Sequence, residues 1–536
     1  MTSPSSSTNR LRINNFNSNL NTSLSLNVQC SLYEDYTKLE SRNMTKTLDL
    51  FIDDMLPLVR SVLMKDNNDN TENIIRLQEV ARDEGIWLSI ILRLIDRIKL
   101  NDQLGPSIIS IFIEETPLPS QEQITMLLDT LRLNDVKYNE KIQRNILVVF
   151  SCLSEKIAGT SIASFLAEKT IDFIFNCLEN GNNLSLIDDI NDKNSYELII
   201  VLFALITLEN FSKSSKNKFI IAQELSKKGN TLLFLSSWHK HQNHIKHQIG
   251  FLAQYLLDNI FTPENHIYGY TKYDYKNTNV RLNDDDTSEN LKISPDGLEA
   301  RNDALSFESA RSTVQVDNSC WFYEATLLTN GIMQIGFATK SAGFLNDQGF
   351  GIGDDQFSVG FDGCRSLIWY NADPYPTDKK FSWKEGDVVG LLLDISQKKV
   401  MFYLNGILVT PVHTDLFRKV NNGIFPAASL MSFQHILFNF GKDPFKYPPS
   451  DINFNCFNSY GVLEEKECYV LPKRLKLEKL RKTLIKDDAC SICCENISNV
   501  NIVPCKHKLF CENCVKRLSM CPICRSPIVT YEVYTN

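Results

Sequence analysis

The chain lacks a basic field, a long apolar run and, over most of its length, cysteine. Its 536 residues carry 56 Lys and Arg against 64 Asp and Glu, a formal charge of −8. No global positive potential is therefore present to attract nucleic acid or an anionic membrane, and neither partner is expected. The longest apolar run, Leu198 to Leu208 with only Thr207 interrupting, is eleven residues. A bilayer span needs ~20, so this stretch reads as a buried helix and no membrane span is expected. The N-terminus shows no basic-then-apolar signal pattern. Seven of the 15 cysteines are scattered over residues 1–489, whereas eight crowd into the last 47 residues. That distribution suits a reducing compartment; the expectation is a cytoplasmic protein, with the nucleus left open.

What is present begins with that crowd. Cys490 and Cys493 form a C-x-x-C pair, and after eleven intervening residues come Cys505 and His507, then Cys511 with Cys514, then Cys521 with Cys524. Each C-x-x-C lets two thiolates converge on one ion, and tetrahedral zinc takes four such ligands at ~2.3 Å for sulfur. Eight ligands imply two zinc ions. Disulfides are the competing reading, but C-x-x-C clusters with an interposed His and no secretory signal favour metal. So short a segment buries too little apolar surface to fold alone, whereas structural zinc contributes ~10–16 kcal/mol of apparent binding free energy. Cys494 is surplus to the two sites and reads as a spare cysteine.

Three Cys, one His and four Cys in this order resemble the RING finger. The resemblance assigns Cys490, Cys493, Cys511 and Cys514 to one zinc, and Cys505, His507, Cys521 and Cys524 to the other. It further implies contacts for a ubiquitin-conjugating enzyme. RING fingers that act as ligases carry an apolar residue inside the first C-x-x-C, a proline inside the last and a basic residue after the final ligand. Here these are Ile492, Pro522 and Arg525, with Leu518 at a further position where the family carries a bulky apolar side chain. Ile492, Leu518 and Pro522 would form a shallow groove, and Arg525 would hold the enzyme–ubiquitin junction. A zinc module that serves only to hold the fold together is the alternative.

Upstream, residues 1–31 are rich in Ser, Asn and Thr and read as a disordered tail. Residues 43–260 are helical throughout by periodicity: Leu48, Phe51, Ile52, Met55 and Leu58 recur at three and four residues, as do Trp87, Ile90, Ile91 and Leu94. Two strongly apolar helices, from Arg144 and from Glu197, are spaced by roughly fifty residues, near the ~40–47 of HEAT and armadillo units. The region looks like an armadillo-like all-α array, with a plain helical bundle as the alternative. Within it His239, His241, His244 and His247 gather half of the eight histidines; with no carboxylate or Cys ligand in that run, it reads as a solvated polar stretch. Residues 262–288, polar and tyrosine-rich, read as a linker.

From about Leu291 the apolar period becomes two. Met333, Ile335 and Phe337 alternate with Gln334, Gly336 and Ala338; Val400, Phe402 and Leu404 lead into Asn405-Gly406, a hairpin-turn pair. Many short strands at such intervals indicate an all-β sandwich. The segments Trp321-Phe-Tyr-Glu-Ala-Thr, Met333-Gln-Ile-Gly-Phe-Ala, Phe361-Asp-Gly, Gly386-Asp-Val-Val-Gly, Phe402-Tyr-Leu-Asn-Gly and Asn439-Phe-Gly resemble the SPRY domain in order and spacing, over residues 290–448. Enzymatic motifs fail here: Gly351-Ile-Gly353 runs into Asp354-Asp355 rather than Gly-Lys-Ser/Thr, and Gln356 breaks a nucleophile elbow around Ser358. The resemblance implies a protein-recognition module, with Trp369, Tyr370 and Tyr375 as candidate substrate contacts.

Residues 472–486 read as a basic helical linker, with seven Lys and Arg against one Glu and Leu477, Leu480 and Leu484 along one side. The two-zinc module occupies 490–525. The tail, 526–536, alternates and ends in an aromatic; some RING fingers use such a tail to dimerise, making Tyr534 a candidate. The whole order resembles the RING finger and SPRY domain-containing protein family. That implies a RING-type ubiquitin-protein ligase without a covalent intermediate on this chain, whose partners are a ubiquitin-conjugating enzyme, ubiquitin and a protein substrate. A non-catalytic adaptor is the alternative.

Overall fold

A computed structural model of the chain describes residues 41–536, apart from 66–74, 76, 80, 134–135, 158–165, 184–191, 345–348, 379, 414, 419–422, 485–488, 494–495, 525 and 535–536. The tail at 1–31 lies outside the described residues. The chain divides into two compact units, Met1–Val470 and Leu471–Asn536.

The first unit opens with helices α1 (Ser41–Lys65), α2 (Glu84–Arg97), α3 (Gly105–Glu115), α4 (Gln121–Leu131), α5 (Glu140–Lys156), α6 (Leu166–Asn183), α7 (Asp192–Phe211), α8 (Ser215–Lys227) and α9 (His244–Asn259). Side chains start several of them. Ser120 and Gln123 close a reciprocal capping box on α4, and Asp83, Asn139 and Asn243 cap α2, α5 and α9, each supplying an acceptor to amides that have no partner within the helix. The eleven-residue apolar run forms the middle of α7. Leu198, Val201, Ala204, Leu205 and Leu208 are all buried, and α5, α6 and α9 pack around this helix. A helix apolar on every side is stable only when covered on every side. Buried polar groups fix the packing. Asn145 donates to Ile95 O and Ile98 O at 2.7 and 2.9 Å, and Thr207 donates to Leu147 O at 3.0 Å.

The second half of this unit is a sandwich of two antiparallel sheets. One has the strand order β1 (Leu282–Thr287), β4 (Glu308–Ser312), β13 (Ile424–Leu430), β6 (Met333–Thr339), β7 (Ser358–Asp362), β8 (Leu367–Tyr370), β9 (Asp373–Pro376). The other runs β12 (Ile407–His413), β11 (Lys399–Leu404), β10 (Val388–Asp394), β5 (Cys320–Leu327), β14 (Gln434–Asn439), β3 (Glu299–Asn302), β2 (Lys292–Ile293), with β15 (Asn455–Cys456) parallel to β5. Tyr323, Phe337, Phe361, Phe402 and Phe438 fill the space between them. Asn405 and Gly406 take positive φ of 49° and 80° and join β11 to β12 in the register Leu404↔Ile407, the two-residue turn that this dipeptide favours.

Two expectations change. The stretch 262–288, read as a linker, ends in β1, which pairs with β4 through Leu282↔Ser312; its polar residues hid the strand. Strand β6 is buried on both faces rather than alternating, because Ala338 packs with Ala342, Ile352 and Ala427 on the side away from the main core.

The helices and the sandwich share a core. Phe307, Ile332, Met431 and Phe433 of the sandwich belong to the same buried cluster as the helices, with Phe203 edge-on to Phe433 at 5.4 Å. Around this contact lies a buried polar layer. Lys292 meets Glu209 of α7 at 3.0 Å and Asp303 at 2.8 Å, Arg301 meets Asp303 at 2.7 Å, and Gln248 of α9 accepts from Arg301 at 2.9 Å. Burial alone would raise the Asp303 carboxyl, but Arg301 and Lys292 more than reverse this and bring it to about 2.

His239 and His247 of the histidine run belong to this layer, and for them the reading of a solvated stretch is corrected, while His241 is exposed. His247 reaches Glu299 of β3 at 2.8 Å, His239 lies 3.3 Å from the same carboxylate and His435 of β14 lies 3.4 Å away. His244 faces Glu385 at 3.2 Å. Helix α9 lies along the sandwich, so two histidines of a stretch that is polar in sequence are interior in space.

Candidate metal centres and recognition surface

The terminal unit begins with a helix, Lys473–Leu484, on which Leu477 is 55% exposed. Beyond it, β16 (Val500–Val503) pairs with β17 (Thr530–Val533) through Val500↔Val533 and Val503↔Thr530, and one helical turn spans Glu512–Val515. Its apolar core is small: Val500, Ile502, Phe510, Val515 and Cys521. Two tight loops present the outer cysteine pairs. The Cys490 amide donates to Asn496 O at 2.7 Å and the Cys521 amide to Ser526 O at 2.9 Å, each closing the chain just beyond its C-x-x-C.

These loops bring the eight ligand residues into two groups. Cys490, Cys493, Cys511 and Cys514 form one, and Cys505, His507, Cys521 and Cys524 the other; within each group the ligand atoms lie within 4.8 Å of one another. The geometry fits zinc. Cys493 Sγ and Cys511 Sγ are 3.8 Å apart, and Cys521 Sγ lies 3.6 Å from His507 Nδ1. Two thiolates on a tetrahedral zinc lie ~3.8 Å apart, and a thiolate and an imidazole ~3.6 Å. The pairing is interleaved: each site takes its second pair from beyond the first pair of the other. Two zinc ions are the module's cofactors, and they cross-link segments that five buried side chains could not hold.

The surface residues divide. Ile492, inside the first C-x-x-C, is 36% exposed, Pro522 is exposed and Leu518 is half-buried. Arg525 and Cys494 lie outside the described residues. Tyr534 is half-buried, its amide donates to Asn499 O at 2.8 Å and Lys508 Nζ sits 5.5 Å from its ring centre. The alternating tail thus spends its backbone hydrogen bonds on its own module.

On the sandwich the three candidate aromatics separate. Trp369 is 1% exposed, with the Arg365 guanidinium 4.6 Å above its ring, and is a packing residue. Tyr370 is half-buried, and Tyr375 in the edge strand β9 is 49% exposed. Trp369 and Tyr375 sit on neighbouring strands, with Trp369 opposite Pro374 and Tyr375 opposite Ile368. Alternation puts Ile368, not Trp369, on the face of the main core; Trp369 lies on the other face and is buried because the turn at Gly353 covers it, which the run Leu367-Ile-Trp-Tyr, apolar or aromatic at every position, does not reveal.

Comparison with known proteins agrees with these two modules. The SPRY domain profile matches residues 320–443, and the profile for zinc finger, C3HC4 type (RING finger), matches residues 486–531. The chain therefore carries a SPRY domain and a C3HC4 RING finger. It is 38% identical over 145 residues to the E3 ubiquitin-protein ligase RKP of Arabidopsis thaliana, covering 26% of this chain and 11% of that one. It is 27% identical over 177 residues to the ATP-dependent RNA helicase DDX1 of Xenopus laevis, covering 32% of this chain and 22% of that one. The chain thus spans only a small part of either relative. Among solved structures, the SPRY domain of human HERC1 aligns with 29% of this chain and 96% of its own at 11% identity and a TM-score of 0.25. The TRIM65 PSpry domain aligns with 30% of this chain and 89% of its own, at 13% identity and a TM-score of 0.25. No helix among the described residues is long and apolar enough to cross a membrane.

Proposed function

We propose that this chain is a RING-type ubiquitin-protein ligase. In this reading the RING recruits a ubiquitin-charged conjugating enzyme, the SPRY domain binds a protein substrate, and ubiquitin passes to a substrate lysine. The observation that carries it is the pair of interleaved four-ligand groups with Ile492 and Pro522 left in solvent beside them. A module that only held the fold together would have no use for an exposed isoleucine between two zinc ligands. The partial identity to a named ubiquitin ligase points the same way.

The mechanism follows from what the module contains. Its thiolates and imidazole are committed to zinc, which supplies structural cross-linking. Ile492, Leu518 and Pro522 form the apolar contact for the conjugating enzyme, and Arg525 donates hydrogen bonds across the thioester junction. Holding two reactants in a productive pose contributes several kcal/mol, up to roughly 7–11 in favourable cases. On the SPRY domain the substrate contact includes Tyr375, with Tyr370 at its margin. The helical region, taken as armadillo-like, adds a docking surface that moves with the sandwich. A homodimer through the tail, with Tyr534 supporting the opposite subunit's ubiquitin, belongs to the same reading.

The test is autoubiquitination by the full chain across a panel of conjugating enzymes. Ile492→Ala and Arg525→Ala are expected to lower the rate at least ~10-fold while both RING zinc ions are retained. A zinc-loaded native chain inactive with every conjugating enzyme would instead identify a non-catalytic adaptor.

A further inference from the structure

A third group of metal-ligand side chains lies outside the RING, between the helices and the sandwich. His239 follows a helical turn at Ser236–Trp238, His247 sits in α9, Glu299 in β3 and His435 in β14. The ligand atoms of His239, His247 and Glu299 all fall within 4.8 Å of one another. The side chains of Glu299 and His435 are fully buried, that of His247 is 7% exposed and that of His239 is 11% exposed.

Three features distinguish this group from an ordinary buried ion pair. The first is that its polar atoms converge without being satisfied. His239 Nε2, Glu299 Oε1 and both ring nitrogens of His435 make no directed hydrogen bond, although Glu299 is 3.3 Å from His239 and 3.4 Å from His435. Buried polar atoms are normally paired, because leaving one unpaired costs ~1–3 kcal/mol, and His239 Nε2 and Glu299 Oε1, facing each other at 3.3 Å, call for a common partner. The second is charge. The neighbouring ions balance among themselves, Arg301 and Lys292 with Asp303, and Lys292 again with Glu209. Glu299 is left facing only imidazoles. The third is orientation. Tyr273 Oη lies 2.5 Å from His239 Nδ1, which turns Nε2 of that ring toward Glu299. A metal-bound histidine is usually held in this way through its other nitrogen.

The backbone is shaped for the approach. A side chain at Gly250 of α9 would place its Cβ 2.1 Å from the His239 amide nitrogen. Only glycine lets the turn carrying His239 lie against the helix carrying His247. Strand pairing aligns His435 with Arg301, two residues beyond Glu299 on the same face of β3.

We infer that His239, His247 and Glu299 form a binding site for a divalent transition metal, zinc in the first instance, that fastens the SPRY sandwich to the helical region, with His435 packed against the Glu299 carboxylate from the other side. Two imidazoles and a carboxylate are donors that suit zinc, at ~2.0–2.2 Å. The site is structural in role, since its ligands come from the helical region and from the sandwich and lie between them. It is independent of the RING and of the ligase reading.

The experiment is metal stoichiometry on the full chain, equilibrated with zinc alone and desalted. The native chain is expected to hold three zinc ions, whereas Glu299→Gln and His247→Gln hold two. Zinc is expected to raise the melting temperature of the Met1–Val470 unit only in the native chain. Two zinc ions in the native chain, or a third retained by both variants, overturns the assignment and leaves a hydrogen-bonded clamp. Cobalt titration of the native chain needs no variant. Thiolate-to-cobalt charge transfer should grow over two equivalents, and a third should add ligand-field bands only. Charge transfer that grows through the third equivalent, or no third equivalent, also overturns it.

Discussion

The two units of this chain are held together by different means. The Met1–Val470 unit buries dozens of apolar side chains in a core that passes from the helices into the sandwich. Among its described residues the Leu471–Asn536 unit has an apolar core of five, one of which, Cys521, is itself a zinc ligand. The first gains its stability from area removed from water, a distributed quantity that no single residue controls. The second depends on two ions and eight ligands, so single atoms decide whether it folds. The difference suits the proposed division of labour, in which a broad rigid unit presents a substrate and a small module with exposed apolar residues engages an exchanging partner.

The largest effect should come from the small unit. Cys511→Ser removes a ligand of the first zinc and with it a large share of the ~10–16 kcal/mol that a structural zinc supplies. Limited proteolysis is expected to degrade residues 471–536 while the rest of the chain resists; a RING as resistant as the native one would mean that its five-residue core suffices. Next, Phe203→Ala opens the contact with Phe433 and should cost about 3–5 kcal/mol. Calorimetry should show the helices and sandwich melting together at a lower temperature, with zinc in the RING unaltered. Two separate transitions would break the picture of one shared core. The smallest effect is on acidification. The Asp303 carboxyl titrates at about 2 in the folded chain against an ordinary 3.8. Because the folded value is the lower, its contribution is fully present above pH ~4 and is lost as pH falls toward 2, roughly 2 kcal/mol in all. Denaturant midpoints of the Met1–Val470 unit measured across that window should fall, and Asp303→Asn should flatten the slope.

How much could be read from sequence varied with how local each feature is. Both zinc sites were legible because their ligands come in pairs two or three residues apart, and the hairpin at Asn405-Gly406 because one dipeptide dictates its backbone. The buried helix α7 was legible because an eleven-residue run with one polar interruption has no other use in water. Strand β1 was not, since Leu282-Asn-Asp-Asp-Asp-Thr has the composition of a loop and is a strand only because β4 offers it an edge. Trp369 and Tyr375 could not be told apart either, because exposure in a sandwich depends on which loops cover each sheet.

The histidine run marks the boundary between the two kinds of knowledge. From His239 to His247 the sequence shows rings without an acid, and the acid lies 52 residues further on, in a strand of another fold class. The sequence alone determined the three modules, their order and the two zinc sites, because these are set by periodicity and by ligands a few residues apart. Only the tertiary structure decided that the helices and the sandwich form one body, and that His239, His247, Glu299 and His435 meet between them. Contacts between distant segments are fixed by which surfaces pack, and packing leaves no spacing in the chain to read.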